Sequence, residues 1–598
     1  MPDSIDLSLA TLRKTYLEGS ASPREVFSRI LAACDEGDPG IWIQRLTEKQ
    51  VFGYVEKLDG KDPETLPLYG IPFAIKDNID LVGIPTTAGC AEYAYTPDES
   101  AFAVQRLLDA GAIPIGKTNL DQFATGLVGL RSPYPPPKNP YNADYIPGGS
   151  SSGSAVAVSA GLVSFSLGTD TAGSGRVPAS LNNLVGLKPS RGLVSCRGVV
   201  PACRTLDCVT VFAETVDDGA TVLDVMAGFD PADPYSRPLA PPETPFTEIA
   251  KARIGIPRSG QLEFFGDEEC AALFSEAREH CADLGWEVVE IDFAPFLEAA
   301  LLLYEGPWVA ERLTAIEAFL DEQPEAVFPV TRNIIQGGRT LSAVSAFRAE
   351  YRLRELKRRA DRTWEQVDAV LTPTFGKPYR VSEVEADPIR TNSNLGYYTN
   401  FMNLLDCAAV AVPAGNLASS GLPWGITFFG PAFSDPLLLK LSNAYLATEA
   451  APPAMSPAFD LPGNAGAQER IEIAVCGAHL SGLPLNHQLT TRGGWLVEST
   501  ETAPTYRMLE LPATGTLPPR PGLIRVSEGG NSVAVEIWSL PIVHLGSFMN
   551  LIGAPLGIGR LQLSDDRLVL GFLCEAEAAA SATDITRFGS WRNFIASR

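Results

Sequence analysis

Apolar residues recur along this chain at two periods, and the alternation between them organises most of its length. Leucines at 7, 9, 12 and 17 and then SPREVFSRILAAC have helical spacing, with Ser22 placed to cap and Pro23 as the first helical residue. From about 65 to 215 short apolar runs alternate with helical patterns and glycine-rich turns. PLYGIPFAIKDNID reads as a strand entering a loop, and ESAFAVQRLLDAGAIPIGKTNLD as helix, glycine stop and strand. The same grammar returns between 250 and 375: ARIGIP and WEVVEIDF are strands around the helix DEECAALFSEAREHCADLG. An amphipathic helix from Ser342 to Trp364 and the strand VDAVLTP follow. CAAVAVPAG and GLPWGITFFGP add two core strands. Nearly continuous apolar strands interleaved with helices predict an α/β fold with a mixed, largely buried central β-sheet flanked by helices.

The rhythm stops at 449–470, EAAPPAMSPAFDLPGNAGAQER, where Ala, Pro and Gly dominate without any period, the composition of a linker. Beyond it IEIAVCGAHL, VAVEIWSLP and RLVLGFLCE predict a smaller, strand-rich α+β domain. At 598 residues the chain exceeds what a single core organises. The expected division is therefore a domain over 1–448 (its first 60 or so residues a helical segment), a linker over 449–470 and a C-terminal domain over 471–598.

Composition narrows the function. With 71 acidic against 47 basic residues the net charge is −24, which disfavours nucleic acid and anionic membrane as partners. The ten cysteines are scattered with no C-x-x-C pair, and no H-E-x-x-H or similar spacing occurs, so neither a disulfide framework nor a metal is expected, and no cofactor is implied. The N-terminus lacks an apolar signal region, and the longest apolar stretch, Ser154 to Leu167, is too short to span a bilayer; a cytoplasmic location is expected.

Candidate chemistry concentrates between Pro147 and Pro189, PGGSSSGSAVAVSAGLVSFSLGTDTAGSGRVPASLNNLVGLKP, whose small residues let backbone N–H groups converge on an oxygen. A phosphate loop is excluded because no Lys-Ser or Lys-Thr follows the glycines. Gly149 to Gly153 matches the G-x-S-x-G nucleophile elbow, but that chemistry needs a histidine base. Of His280, His479, His487 and His544, three lie beyond the linker and His280 falls mid-way along a predicted surface helix.

A third reading supplies a different base. GGSSSGSA at 148–155, GTDTAGSGRVPA at 168–179 and GIPFAIKDNID upstream resemble, in order, the motifs of the amidase signature family, and the resemblance runs from about 60 to 435, through YYTNFMNLLDCAAVAVPAG. It implies a Ser–Ser–Lys triad: Ser174 as nucleophile, Ser150 (after a cis peptide from Gly149) as bridge, and Lys76 as a base that burial must keep neutral. It further implies an oxyanion hole from the backbone N–H groups of Thr171, Ala172 and Gly173 beside that of Ser174, and an Asp170–Arg176 pair supporting the loop. Ala172 departs from the family's usual glycine, which narrows the expected oxyanion site by a methyl group.

Within the family, FLEAALLLYEGPWVAERLTAIEAFL is similar to the allophanate hydrolase branch, as are GAHLSGLPLNHQLTTRGGWLVEST and APLGIGRLQLSDDRLVLGFLCEA in the tail. That likeness implies that Tyr304 and Arg312 hold the substrate, the guanidinium gripping a carboxylate in bidentate fashion. They share a helix face only if the helix continues through Gly306-Pro307. The implied reaction is hydrolysis of allophanate, with ammonia released first and the carboxylated product then breaking down to carbon dioxide and a second ammonia. The tail domain would aid decarboxylation through a histidine, His479 ahead of His487. Implied partners are a small anionic amide as substrate and a functional link to a biotin-dependent urea carboxylase; a homodimer is left open. The rivals are a broad-specificity amidase, the glutamine-hydrolysing component of a tRNA amidotransferase, and an inactive scaffold whose tail binds a partner.

Overall fold

The strand that ends in Lys76 is buried along its whole length. A computed structural model describes residues 6–238, 249–447, 470–490, 492, 494–511, 519–579 and 582–597. The chain divides into two compact units, Met1–Leu461 and Pro462–Arg598.

In the first unit the strands are β1 (Trp42–Arg45), β2 (Pro72–Lys76), β3 (Ile113–Thr118), β4 (Phe165–Asp170), β5 (Val185–Lys188), β6 (Cys208–Ala213), β7 (Arg253–Pro257), β8 (Glu287–Ile291), β9 (Ala369–Pro373), β10 (Cys407–Asn416) and β11 (Pro423–Pro431). They form one mixed sheet in the order β1-β3-β2-β4-β6-β5-β10-β11-β9-β7-β8. β2 is parallel to both β3 and β4, whereas β6, β5, β10, β11 and β9 join through antiparallel pairs, and β7 runs parallel to β8 and β9. Every residue of β2 to β6 is buried, so both faces are covered, and the polar residues among them cluster toward the strand ends that carry the site, such as Lys76 and Asp170.

The N-terminal helices are Leu9–Leu17 and Pro23–Glu36, the second opened by a capping box between Ser22 and Glu25, a device that stabilises a helix by about 1 kcal/mol. The segment expected to be helical to about residue 60 also contains β1, which pairs antiparallel with β3 at the sheet edge. His280 lies in the last turn of the helix Glu268–Asp283, not mid-way; its Nε2 stands 2.9 Å from the Tyr445 carbonyl oxygen. The linker expected over 449–470 lies outside the described residues except for Arg470, which opens a strand.

In the second unit β12 (Arg470–Val475), β13 (Trp495–Glu501), β16 (Ala534–Pro541), β17 (Leu556–Gln562) and β18 (Leu568–Cys574) form a sheet in the order β13-β16-β12-β18-β17; β14 (Tyr506–Leu511), β15 (Arg520–Arg525) and β19 (Thr583–Asp584) form a second sheet, β15-β14-β19. Its core is its own, built on residues such as Ile473, Ile537, Leu561 and Phe572. Among the described residues no helix is long and apolar enough to cross a membrane.

Candidate active site

Lys76 occupies the C-terminal end of β2, between the parallel strands β3 and β4, the edge of an open α/β sheet where loops converge. Its Nζ donates to Ser150 Oγ at 2.7 Å and to Thr169 Oγ1, near the end of β4, at 2.8 Å. Ser150 precedes the helix Ser152–Ser159 and follows a cis peptide bond from Gly149. A side chain at Gly149 would sit 2.2 Å from Asp121 Oδ2 and 2.5 Å from the Gly129 nitrogen, so only glycine admits this approach. Asp77, adjacent to the lysine, pairs with Lys117 at 3.0 Å, both fully buried.

Ser174 lies in the turn after β4 and is 3% exposed. Its hydroxyl donates to the Gly126 carbonyl at 3.5 Å; among the described residues no hydrogen bond joins it to Ser150. The loop around it is fastened by Asp170, which receives Arg176 Nε on Oδ2 at 2.9 Å and Nη2 on Oδ1 at 3.0 Å in a buried fork. The same carboxylate accepts the N–H groups of Gly173 at 2.7 Å and Gly175 at 3.0 Å. This corrects one expectation: the Gly173 N–H is committed to Asp170, because a buried carboxylate must be surrounded by donors. The N–H groups of Thr171, Ala172 and Ser174 have no protein acceptor among the described residues. Gly173 has φ +142°, and a Cβ there would meet Thr399 Oγ1 at 2.4 Å. Ala172 belongs to an apolar cluster with Cys203, Leu303 and Trp308.

Two further residues tie this loop down, neither of which stood out in the sequence. Asn403 Nδ2 donates to the carbonyls of Asp170 at 2.7 Å and Thr171 at 3.2 Å. Asp207 accepts Thr171 Oγ1 at 2.5 Å and the Ala202 N–H at 2.8 Å. Burial pushes the Asp207 carboxyl up to about 6, against the pull of its Thr171 hydrogen bond. Lys76, fully buried, is pushed down to about 7 by desolvation; Asp121, Asp170 and Asp207 hold it up, and Arg312 presses it down further.

Tyr304 and Arg312 lie on different helices, Ala294–Glu305 and Trp308–Glu322, because the chain breaks at Gly306-Pro307. They still meet: the Arg312 guanidinium carbon is 5.7 Å from the Tyr304 ring centre. Arg312 is 2% exposed, and its Nη1 donates to Thr125 Oγ1 at 3.2 Å. Tyr304 lines a cavity of about 260 Å³ together with Arg131, Val309, Ile389 and Asn392. The loop 121–131, unremarkable in the sequence, runs between this cavity and Ser174: Gly126 accepts the Ser174 hydroxyl, and the Leu127 N–H donates to Asn392 Oδ1 at 2.8 Å.

In the second unit the His479 ring lies nearly parallel to Phe572 at 5.2 Å, with Nε2 2.9 Å from Gln488 Oε1. Burial lowers its pKa, and it lines a cavity of about 40 Å³ with Cys476 and Arg520. His487 is exposed, its Nδ1 2.9 Å from the Pro484 carbonyl oxygen.

A buried lysine and two serines gathered at one edge of a mixed sheet suit amide hydrolysis without histidine, and the sequence agrees: the pattern of the family described as Amidase matches residues 25–439, so the chain belongs to the amidase family. The pattern described as Allophanate hydrolase C-terminal domain matches 471–596. More particularly, the chain is 42% identical over 580 residues to urea amidolyase from Saccharomyces cerevisiae, covering 93% of this chain and 31% of that protein; the Lachancea kluyveri urea amidolyase is 41% identical, with 96% and 32% covered. The chain thus spans about a third of the length of these curated relatives. A structure of a Kluyveromyces lactis allophanate hydrolase variant superposes with a TM-score of 0.80 at 38% identity, covering 100% of this chain and 99% of that one. A peptide amidase from Stenotrophomonas maltophilia superposes with a TM-score of 0.60 at 28% identity, covering 74% of this chain and 96% of that one.

Proposed function

We propose that this chain hydrolyses allophanate (urea-1-carboxylate) in the cytoplasm, with Ser174 as nucleophile. The observation that carries this reading is the likeness to Kluyveromyces lactis allophanate hydrolase over all of this chain. Ser174 Oγ turns from Gly126 to the primary amide carbonyl of the substrate. Its proton passes to Ser150 as the Ser150 proton passes to Lys76 Nζ, 2.7 Å away. A lysine near 7 is substantially neutral at physiological pH, so it can accept that proton and return it to the departing ammonia. The N–H groups of Thr171, Ala172 and Ser174 face the developing oxyanion, and water then hydrolyses the acyl-enzyme by the same relay.

Arg312 and Tyr304 hold the far carboxylate, a charge-assisted contact worth roughly 1.5–3 kcal/mol. The dicarboxylated amine that leaves loses carbon dioxide and then ammonia, a step assigned to the domain beyond the linker at 449–470, with His479 the candidate. Each allophanate then yields two ammonia and two carbon dioxide. A biotin-dependent urea carboxylase would supply this substrate, and the relation to urea amidolyases supports a functional link with such an activity. Ammonia release from allophanate, set against malonamide, acetamide and glutamine, tests the reading. Allophanate turning over fastest, and Ser174→Ala releasing nothing, is the expected result; a preference for glutamine or acetamide would overturn it.

A further inference from the structure

Arg312 is not the only cation buried beside Ser174. Arg131 is also 2% exposed, and it reaches the same residue from the other side: its Nη1 donates to the Thr125 carbonyl at 3.1 Å, while Arg312 Nη1 donates to the Thr125 hydroxyl at 3.2 Å. Arg131 Nη2 donates to the Pro388 carbonyl at 2.6 Å, and its backbone N–H to Asp121 Oδ1 at 2.8 Å. Neither arginine forms an ion pair with a carboxylate among the described residues, and the Nε of each is buried without a hydrogen-bond partner. Buried Asp121 near Arg131, and Asp207 and Glu311 near Arg312, offset part of this charge without pairing with either guanidinium, so an anion bonded directly to the two groups would still be favoured. Burial weighs on Arg131 in the same sense, pulling its pKa below the usual guanidinium value.

Of the two, it is Arg131 that lines the 260 Å³ cavity, with Tyr304 and Asn392. The cavity stands next to the nucleophile by one residue of chain: Thr125 holds both guanidinium groups, and the following residue, Gly126, holds the Ser174 hydroxyl. We infer that Arg131 is a second substrate-binding guanidinium, which with Arg312 brackets Thr125 and selects a carboxylate-bearing amide in this cavity. This rests on the proposed reaction and adds a specificity-determining residue to it. The two arginines act together, one forming the cavity wall and the other standing behind Tyr304, so that the carboxylate end of the substrate is held while its amide end reaches Ser174.

The test compares malonamate, a carbon isostere of allophanate that keeps the carboxylate, with malonamide, in which that carboxylate is a neutral amide. Wild type should prefer malonamate, and Arg131→Ala should lower kcat/KM for it by about one to two decades more than for malonamide. Arg131→Lys should recover part of the preference, because it restores charge without the planar fork. Arg131→Met keeps the volume and reads the same ratio if the alanine variant does not fold. Equal losses on the two substrates, or an unchanged ratio in both folded variants, would overturn the inference. Allophanate is assayed alongside: wild type that prefers malonamate but ignores allophanate refutes the proposed substrate and leaves the anion site standing.

Discussion

A lysine with no solvent contact answers two demands at once: it must lose its charge to act as a base, yet stay close enough to neutral pH to give the proton back. At Lys76 desolvation meets the first demand, and the carboxylates of Asp121, Asp170 and Asp207 meet the second. The kcat/KM for ammonia release should therefore climb through an acid limb centred near pH 7. Neighbouring charges should move the limb in opposite directions. Asp207→Asn removes an anion that raises the lysine's pKa and should shift the limb to lower pH; Arg312→Ala removes a cation that lowers it and should shift the limb to higher pH. Shifts in the same direction would mean that another group titrates. Stability follows the same pKa. Between about 7 and 10.5 the unfolded chain binds a proton at this position that the folded chain does not, so stability rises with pH across that window, and the destabilisation is present in full below it. Lys76→Met should thus abolish turnover while raising the unfolding free energy at pH 6 by an amount on the order of a few kcal/mol, seen as a higher Tm. On the substrate side, Tyr304→Phe should be milder than Arg312→Ala, since it removes a neutral hydrogen bond of about 0.5–1.5 kcal/mol.

Among the elements, the turn from Thr171 to Arg176 depends on a backbone that only glycine adopts without strain. Gly173→Ala would place a methyl group against Thr399 at φ +142°. Such a conformation costs a non-glycine residue roughly 1–3 kcal/mol, so both Tm and turnover should fall, the latter because the neighbouring N–H groups move with the turn. Unchanged kinetics in this variant would show that the turn does not position the reacting groups. This turn is legible in the sequence because its residues are consecutive, and so are the strands and helices of the sheet, whose periods are local. Its supports are not. Asp207 meets Thr171 across 36 residues, Thr125 meets Arg312 across 187, and Arg131 meets Pro388 across 257, separations over which no local pattern records a contact. Gly306-Pro307 is visible as a break, but that two separate helices still bring Tyr304 and Arg312 to 5.7 Å follows only from the packing. The Gly173 N–H escapes the sequence for a similar reason: the glycine-rich turn announces donors, while the acceptor each one finds is set by the fold.

For the molecule as a whole, the division into two units predicts a division of labour. A chain ending at Ala447 keeps Lys76, Ser150, Ser174 and the bracing residues, and it should release the first ammonia from allophanate at close to the full rate, with the second ammonia and carbon dioxide delayed. Simultaneous release of both ammonia equivalents from the shortened chain would remove the decarboxylation role from the C-terminal domain. The first unit carries a consequence for its own synthesis. All three triad residues lie in the first third of the chain, yet the turn that carries Ser174 is held by Asn403, 233 residues after Asp170. At ribosomal speeds that interval lasts roughly 10–50 s, during which the nascent chain displays its serines and lysine without the brace that shapes them. A partly made chain of this kind holds all three triad residues without the Asn403 brace, and is expected to stay silent until most of its first unit has been translated.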